Sequence, residues 1–201
     1  MKTKLFLLIL ITIFTITSCG DDKDEPNSQT NNGELSIDPY FKYVGLSFVE
    51  IQNDFSVPLE YNGNNYYLNN QWIYNYLFNV IFWVTDEKPC STVTLRMKDE
   101  KSASFEHFKI FTNEALLSLG EPKSTAFLHE VEGGHDILFQ ITTPHKKGAY
   151  NETINFAEKN NVSKIGNSCE MIWEKNGYNI KYRFSSELSS IYHQFSIYIT
   201  K

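Results

Sequence analysis

The chain lacks the short motifs that mark the large enzyme classes. It contains no Gly-x-Ser-x-Gly nucleophile turn and no glycine-rich phosphate loop. Neither Cys90 nor Cys169 lies in a local sequence typical of a catalytic cysteine. We therefore predict that the protein is not an enzyme and uses no cofactor. A cryptic envelope hydrolase stays an alternative, because the paired carboxylates of glycoside hydrolases need to be close in space only.

A basic excess is also missing. The sequence has 18 Lys and Arg against 24 Asp and Glu, and three of the basic and four of the acidic residues precede Glu34. The rest of the chain therefore carries a net charge of −5. Nucleic acid requires a basic surface, so we exclude it as a partner. An acidic domain suits a basic protein partner, although the same charge can simply serve solubility.

The sequence has no apolar run of the length that a membrane-spanning helix needs. Lys2 and Lys4 precede an apolar stretch over residues 5–16. About a dozen residues fall short of the ~20 needed to cross a bilayer, which favours a cleaved export signal.

That signal ends in Ile16-Thr17-Ser18-Cys19, an aliphatic residue and two small residues before a cysteine. The stretch resembles the lipobox of bacterial lipoproteins, in which the cysteine is diacylated and the chain is then cut on its amino side. The resemblance implies a signal peptide over residues 1–18 and palmitate-type lipid on Cys19. Two or three acyl chains anchor a protein stably, because each buried methylene contributes about 0.8 kcal/mol.

Acidic residues follow the predicted lipid site. The run Gly20-Asp21-Asp22-Lys23-Asp24-Glu25 is similar to the surface-export signal of Bacteroidota lipoproteins, with a glycine and a lysine interrupting it. It can equally be a solvated spacer. We therefore expect a lipid anchor in the outer membrane, either at the cell surface or on the periplasmic face. Residues 19–33 contain no apolar side chain after the cysteine, which predicts a flexible tether.

Residues 34–201 have the size and composition of one globular domain. Asp38-Pro39 can begin a helix, and the apolar spacing after it predicts a helix over about 39–54. A second helix is predicted over 104–119, because Gly120 and Pro122 then stop it. Both should pack on one face of antiparallel sheet, which makes the fold class α+β.

Turn dipeptides between alternating segments predict three hairpins. Further strands are expected over 91–98 and 191–199, and residues 72–84 read as one strand that is apolar on both faces and therefore central or bent. Residues 143–168 are polar and read as loop, apart from a short possible strand at 153–156. The hairpins turn at Asn62-Gly63, at Gly133-Gly134 (joining 125–132 to 135–142) and at Asn176-Gly177 (joining 169–175 to 178–184).

Cys90 and Cys169 would face an oxidising compartment, which favours a disulfide. The register of the third hairpin pairs Cys169 with Phe184 on the core side. Cys90, however, lies on the same side of its strand as Thr92 and Thr94, which is the polar side, because alternate residues of a strand face the same way. A disulfide between the two cysteines and two separate thiols are both open alternatives.

One pattern occurs twice after a predicted helix: a hydrophobic residue, two further residues and then a proline. It is found at Phe55-Ser56-Val57-Pro58 and at Leu119-Gly120-Glu121-Pro122. The second unit, together with a later Trp173-Glu174 hairpin, is similar to the small helix-plus-sheet modules of β-lactamase-inhibitor-like and outer-membrane-assembly lipoproteins. Those modules occur singly or in tandem and bind other proteins on an open sheet face. The resemblance therefore implies a tandem helix-plus-sheet repeat that binds protein. The first unit lacks the Leu-Gly pair, and the resemblance transfers no functional residue.

The segment from His129 to Asp136 contains two histidines and three acidic residues, which suggests a metal site at first sight. The predicted hairpin register places His129 on the face opposite Glu130, Glu132 and His135. A carboxylate and an imidazole alone do not make a metal site, so we predict none. His193 falls in an apolar row of the last strand and is expected to be a hydrogen-bonded core residue.

Aromatic residues interleave with asparagines after the first hairpin. Rings beside amides suit the faces of sugars, and they also suit the centres of protein interfaces. The alternative is that these residues simply build strands and core. The candidate binding surface consists of Tyr66, Tyr67, Trp72, Tyr74 and Tyr76.

The function predicted from these features is that of a lipid-anchored cell-envelope protein that binds or inhibits another protein. An immunity protein against an envelope-targeting effector is one such role. A surface glycan-binding accessory lipoprotein is the main alternative.

Overall fold

The computed structural model describes residues 34–63, 65–98, 103–186 and 193–201. The predicted signal peptide, the lipid on Cys19 and the tether lie outside these residues. Within the described part, nine strands form one antiparallel sheet in the order β1-β2-β3-β4-β9-β8-β7-β5-β6. The strands are β1 (Glu60–Asn62), β2 (Asn65–Ile73), β3 (Tyr76–Trp83), β4 (Thr92–Met97), β5 (Ser124–Val131), β6 (Gly134–Ile141), β7 (Asn167–Lys175), β8 (Tyr178–Ser186) and β9 (His193–Thr200).

Helical segments accompany the sheet. The first is a 3-10 helix (Asp38–Tyr43), followed by α1 (Phe48–Asn53), α2 (Phe105–Leu119) and α3 (Ala149–Lys159). The predicted fold class, α+β with helices on an antiparallel sheet, is confirmed, with four helical segments where two helices were predicted. No helix in these described ranges has both the length and the apolar character to cross a bilayer.

All four helical segments pack on the same face of the sheet. Residues that are paired across neighbouring strands have their side chains on the same face of the sheet. An aromatic ring of a strand that contacts a ring of a helix therefore shows which face that helix covers. The strands after Pro58 and those after Pro122 meet edge to edge between β4 and β9 and form one continuous layer. The ring pairs are Tyr43 with Phe82 (5.3 Å between centroids), Phe48 with Tyr66 (4.0 Å), Phe111 with Phe78 (5.5 Å) and Phe156 with Phe127 (5.5 Å).

The hydrophobic core lies between this face and the helices. It is one cluster that runs from Leu35 to Ile199, and Trp173 and Tyr182 are its largest fully buried side chains. The contacts of the chain group Asn31–Lys201 into one compact unit, which meets the condition for folding on its own.

The predicted helix over 39–54 is wrong in its middle. Gly45 adopts a φ of +95°, a region that favours glycine, and interrupts the helical path. The backbone there pairs instead with Cys90: the Gly45 N–H donates to the Cys90 carbonyl and the Cys90 N–H donates to the Leu46 carbonyl, both at 2.8 Å. Helix α1 then begins after Ser47, whose side chain exchanges hydrogen bonds with Glu50.

The single strand predicted over 72–84 is also wrong. The chain turns at Tyr74 and Asn75, which have φ values of 49° and 64°, so β2 and β3 form a hairpin. Such positive values are typical of the two-residue turns that join antiparallel strands. Tyrosine is an unusual residue in that position, and its side chain is held by Glu114 and Phe111 on α2.

Residues 143–168 contain helix α3 where we predicted loop and a short strand. Four of its buried residues, Ala149, Thr153, Ile154 and Ala157, follow helical spacing. Its N-terminus is held by Glu121, whose carboxylate accepts the N–H groups of Gly148 at 2.6 Å and Tyr150 at 2.9 Å. The strand prediction failed because small and polar residues make up most of this buried stripe.

The hairpin predictions were more successful. The third hairpin is confirmed in full register, with Cys169 paired with Phe184 and Glu170 with Arg183. The first is confirmed by the pairing of β1 with β2, but Asn62 pairs with Asn65, so the turn begins at Gly63 and not at Asn62. The second exists, but its turn lies at Glu132-Gly133 and Leu138 is an extra residue in β6, so the predicted partners shift. The helix predicted over 104–119, the strand over 91–98 and the described part of the last strand are confirmed as α2, β4 and β9.

Cys90 and Cys169 are both free and buried, so the disulfide considered above is not formed. Cys169 is in β7, and Cys90 lies two residues before the start of β4 in the sequence. In the sheet, β7 and β4 are three strands apart. Three strand spacings amount to about 14 Å. A disulfide needs Cα atoms within about 7 Å of each other.

Candidate protein-binding face

The sheet face opposite the helices is the surface on which a partner can lie, and we call it the open face. None of the described helices packs on it, because every helix contacts residues of the opposite parity. Strand register arranges its side chains in rows across the sheet. One row contains Thr94, Tyr198, Lys181 and Ile172, and the next contains Asn79, Arg96, Ser196, Arg183, Glu170 and Ala126.

Basic groups predominate at the centre of the open face. Glu170 Oε1 lies 3.4 Å from Arg183 Nε and 3.9 Å from Lys181 Nζ, and its side chain is only 16% exposed. Two cations therefore share one carboxylate. Arg96 lies in the same row. The middle of the open face is thus basic although the domain as a whole is acidic.

An aromatic ring lies beside these charges. Lys181 Nζ is 4.8 Å from the centre of the Tyr198 ring, which is a cation–π distance. The contact holds the lysine and the ring together in the middle of the sheet. Aromatic and basic side chains in one cluster are typical of the energetic centres of protein interfaces.

Short polar side chains lie under the long ones. Ser196 and Ser168 are 1% and 3% exposed, and their hydroxyl oxygens have no hydrogen-bond partner within the described ranges. The same holds for Oδ1 of Asn79, in the row of Arg96. Buried polar atoms of this kind are normally satisfied by water or by a bound group. These atoms are buried, so they belong to the interior of the sheet and not to the surface that a partner touches.

A shallow depression lies on the open face. It measures about 90 Å³ and exists because Ala126 is small between Glu170 and Gln140. A second depression of about 310 Å³ lies at another place, beside Tyr61, Tyr66 and Asp86. Pockets for small ligands measure about 300–1,000 Å³ and carry a few convergent polar groups. The geometry of the open face suits a broad partner better than a small molecule.

The described residues contain no group of three His, Cys, Asp or Glu side chains that could hold a metal ion. Glu130 pairs with His135 and His129 with Asp136, so His129 does lie on the face opposite Glu130 and His135. The His129 ring is occupied by a 2.8 Å hydrogen bond between its Nδ1 and Asn167 Oδ1. The Nδ1 of His193 lies 2.8 Å from the Ser186 hydroxyl, so the predicted hydrogen bond is present, but the residue is half-buried and not part of the core.

The buried thiols are unsuited to nucleophilic chemistry. Burial raises the pKa of the Cys90 thiol to about 11, and burial raises the pKa of the Cys169 thiol further. Both groups are therefore protonated at neutral pH, whereas a cysteine nucleophile acts as the thiolate. They behave as small apolar core residues.

The structure does not bring the five predicted aromatic residues into one surface. Tyr67 and Trp72 are on the open face, and Trp72 is 71% exposed. Tyr66 and Tyr76 lie on the helix side, where Tyr66 stacks on Phe48 and Tyr76 contacts His107. Tyr74, in the β2–β3 turn, donates a hydrogen bond to Glu114 at 2.5 Å.

Sequence reasoning missed the residues that form the centre of the open face. The signal was present, because the register of the third hairpin already pairs Glu170 with Arg183 and Ile172 with Lys181 on the face away from the core. Charged pairs on that face are also typical of a solvated surface, and nothing in the sequence distinguishes Tyr198 from the other residues of its alternating strand. The position of the helices, which decides which face is uncovered, was needed to connect these residues.

The start of the described chain is held on the helix side of the sheet. The Ser36 N–H donates to Glu114 of α2 at 2.6 Å, and Ser118 Oγ donates to the Glu34 carbonyl at 3.2 Å. Burial raises the pKa of the Glu114 carboxyl, and burial together with the Glu114 carboxylate raises the pKa of Tyr74. Asp38 is paired with Lys175 at 2.5 Å. These contacts place the entry of the domain away from the open face.

Comparison of the chain with family models, with curated proteins and with solved structures finds no match.

Proposed function

We propose that the chain is a lipid-anchored cell-envelope protein that binds, and thereby holds or inhibits, another protein on its open face. The observation that carries this proposal is the arrangement of Lys181 and Arg183 around the single carboxylate of Glu170, in the middle of an uncovered sheet. The partner segment that this arrangement fits is acidic. It would neutralise the excess positive charge and accept hydrogen bonds from the basic side chains.

The charge of the open face changes the expected partner. The net charge of the domain suggested a basic protein. Local charge at the contact decides which partner is attracted, because charges separated by more than about 8–10 Å are screened at physiological ionic strength. At the centre of the open face the nearest charges are positive, and we therefore propose an acidic segment.

The open face is large enough for a specific complex. Nine strands at about 4.8 Å spacing and about 25 Å long give an area of roughly 1,000 Å². A standard interface buries about 800 Å² on each partner. A stable complex can thus form without a pocket. An immunity protein for an envelope-targeting effector is the role that we propose within this function, because such a protein acts by binding alone.

The predicted anchor is compatible with this use of the open face. The described chain begins on the helix side, where Glu34 and Ser36 contact α2. A tether that enters there leaves the opposite face free for a partner. The outer membrane, at the cell surface or on its periplasmic side, is the location that we propose.

The anchor is tested by labelling cells with palmitate. The wild-type chain is expected to incorporate the label and to stay with the membrane fraction. Cys19→Ala should abolish both, because the thioether bond to lipid needs the thiol. Cys90→Ala is the matched control and should label normally, since Cys90 is buried within the fold. Undiminished labelling of Cys19→Ala would contradict the anchor.

The binding surface is tested by placing a photo-crosslinking amino acid at Tyr198 in living cells. We expect a protein adduct at this position whose crosslinked peptide is rich in Asp and Glu. The same probe at Leu117, which is 74% exposed on the helix side, is the matched control and should give no such adduct. Adducts of equal yield at both positions, or a lysine-rich crosslinked peptide, would refute the proposed contact.

Glycan binding is the second candidate, and the exposure of Trp72 (71%) and Trp83 (44%) on the open face favours it. Exposed indole rings can stack on sugar rings. In this case the Tyr198 probe gives no protein adduct, and binding on an array of surface polysaccharides is lost in Trp72→Ala.

A further inference from the structure

The two edges of the sheet differ in length. One edge is β1, which has only three residues (Glu60–Asn62), and the other is β6, with eight (Gly134–Ile141). An edge strand presents a row of unpaired N–H and C=O groups, and a very short edge strand is one way in which proteins keep such an edge from pairing. The β1 edge is short in this way, and the part of β2 that runs beyond it, from Leu68 to Ile73, is interrupted by an irregularity between Leu68 and Gln71. The β6 edge runs over eight residues.

The side chains of β6 add to its capacity to pair. Ile137 is 58% exposed and the adjacent Leu138 is 52% exposed. The strand contains no lysine and no proline, the two residues that most often prevent pairing at an edge. An exposed apolar strand edge of this length is a surface for strand addition.

One feature of β6 opposes pairing. Leu138 is an extra residue opposite the step from Phe127 to Leu128, so the strand has a bulge at its centre. A bulge bends a strand and interrupts the regular row of backbone groups. The interruption is one residue long, and the residue that it exposes is itself apolar. The bulge therefore restricts the register of a partner strand and leaves apolar surface for it to cover.

The charge pattern of β6 identifies the partner strand. Asp136, near the beginning of the strand, is its only carboxylate, and the end from Phe139 to Ile141 is uncharged. An antiparallel copy of β6 places each Asp136 opposite that uncharged end. A parallel copy would place the two carboxylates close together. Antiparallel pairing also brings the exposed Ile137 and Leu138 of the two strands together, so β6 is complementary to itself.

We propose that β6 pairs with β6 of a second copy of this chain, in antiparallel orientation about a two-fold axis perpendicular to the sheet. The result is one continuous sheet of two domains. Such an axis keeps the open faces of both copies on the same side and the entry points of both chains on the other side. The proposal does not depend on what the open face binds.

The proposal is tested by sedimentation of residues 34–201 over a range of concentrations. The wild type should change from monomer to dimer as concentration rises. Ile137→Lys and Leu138→Lys, which place a charge on the edge, should each raise the dimer dissociation constant at least tenfold. Leu117→Lys is the matched control, because it also replaces an exposed aliphatic side chain by lysine, but on α2 and away from the β6 edge. This variant should dimerise like the wild type.

A second measurement keeps the result independent of any variant. Amide hydrogen exchange in the wild type should slow over 134–141 as concentration rises, while exchange at β1 should stay constant. A wild type that remains monomeric at millimolar concentration would overturn the proposal. So would a dimer that is unchanged by Ile137→Lys or that shows no added protection of β6. None of these measurements uses the partner of the open face, so their failure leaves the proposed function standing.

Discussion

Replacing Phe111 by alanine is expected to lower the free energy of unfolding by about 3–5 kcal/mol. The ring is fully buried on the inner side of α2. It contacts four other aromatic rings, and it joins α2 to β3, to β9 and to the β2–β3 turn. Its centroid lies 5.6 Å from Tyr74, 6.0 Å from Tyr76, 5.5 Å from Phe78 and 5.3 Å from Phe195.

The physical reason is that alanine leaves a cavity which the surrounding structure cannot close. The neighbours of Phe111 are themselves rings held by the sheet, so they cannot move into the space without breaking strand pairing. A single domain is stable by about 5–15 kcal/mol, so this loss is a large fraction of the total.

Denaturant unfolding of residues 34–201 measures the effect. Leu117→Ala on the same helix is the matched control, because Leu117 is 74% exposed, and it should change stability by no more than about 0.5 kcal/mol. A loss of less than about 1 kcal/mol in Phe111→Ala would show that α2 does not pack on the sheet as described.

Local signals were sufficient where the structure is locally determined. Helix α2 was predicted because its apolar stripe agrees with the stop at Gly120 and Pro122. The third hairpin was predicted residue by residue because Asn176-Gly177 fixes the turn and the alternation of apolar side chains fixes the register. The fold class followed from these elements.

Predictions failed where distant residues decide the local structure. The helix predicted over 39–54 is interrupted because the backbone of Gly45 and Leu46 pairs with Cys90, which is far away in sequence. The turn at Tyr74 carries no turn signal in its own residue type, and its side chain is held by Glu114. Both contacts depend on the assembled fold, although Gly45 and Asn75 are residue types that favour a positive φ.

The candidate site shows the same division. The pairing of Glu170 with Arg183 could be predicted from one hairpin. Two further features could not be predicted from one hairpin. Tyr198 and Arg96 lie on the same face because of the order of β4, β9 and β8 in the sheet. The face stays uncovered because the helices pack on the other side. The acidic partner that we propose rests on those two facts together.

The combined substitution of Lys181→Glu and Arg183→Glu is expected to weaken binding of the protein that crosslinks at Tyr198 by at least roughly 100-fold, or about 2.8 kcal/mol. Each change replaces an attraction by a repulsion, and like charges that face each other across an interface cost several kcal/mol. Calorimetry with the purified partner measures the affinity. Lys147→Glu with Lys159→Glu is the matched control, because both lysines are exposed, one in the loop before α3 and one at the end of α3, and the net charge changes equally.

The double variant also disturbs the domain, since it leaves Glu170 beside two further carboxylates, and loss of binding could then follow from loss of structure. Adding Glu170→Lys separates the two causes. The triple variant restores attraction within the cluster, with every sign inverted, so the stability lost in the double variant should return. The net charge of residues 170, 181 and 183 changes from +1 in the wild type to −1 in the triple variant, so an acidic partner should still be bound weakly. Recovery of binding together with stability would mean that internal pairing alone matters, and that the excess positive charge of the open face does not select the partner.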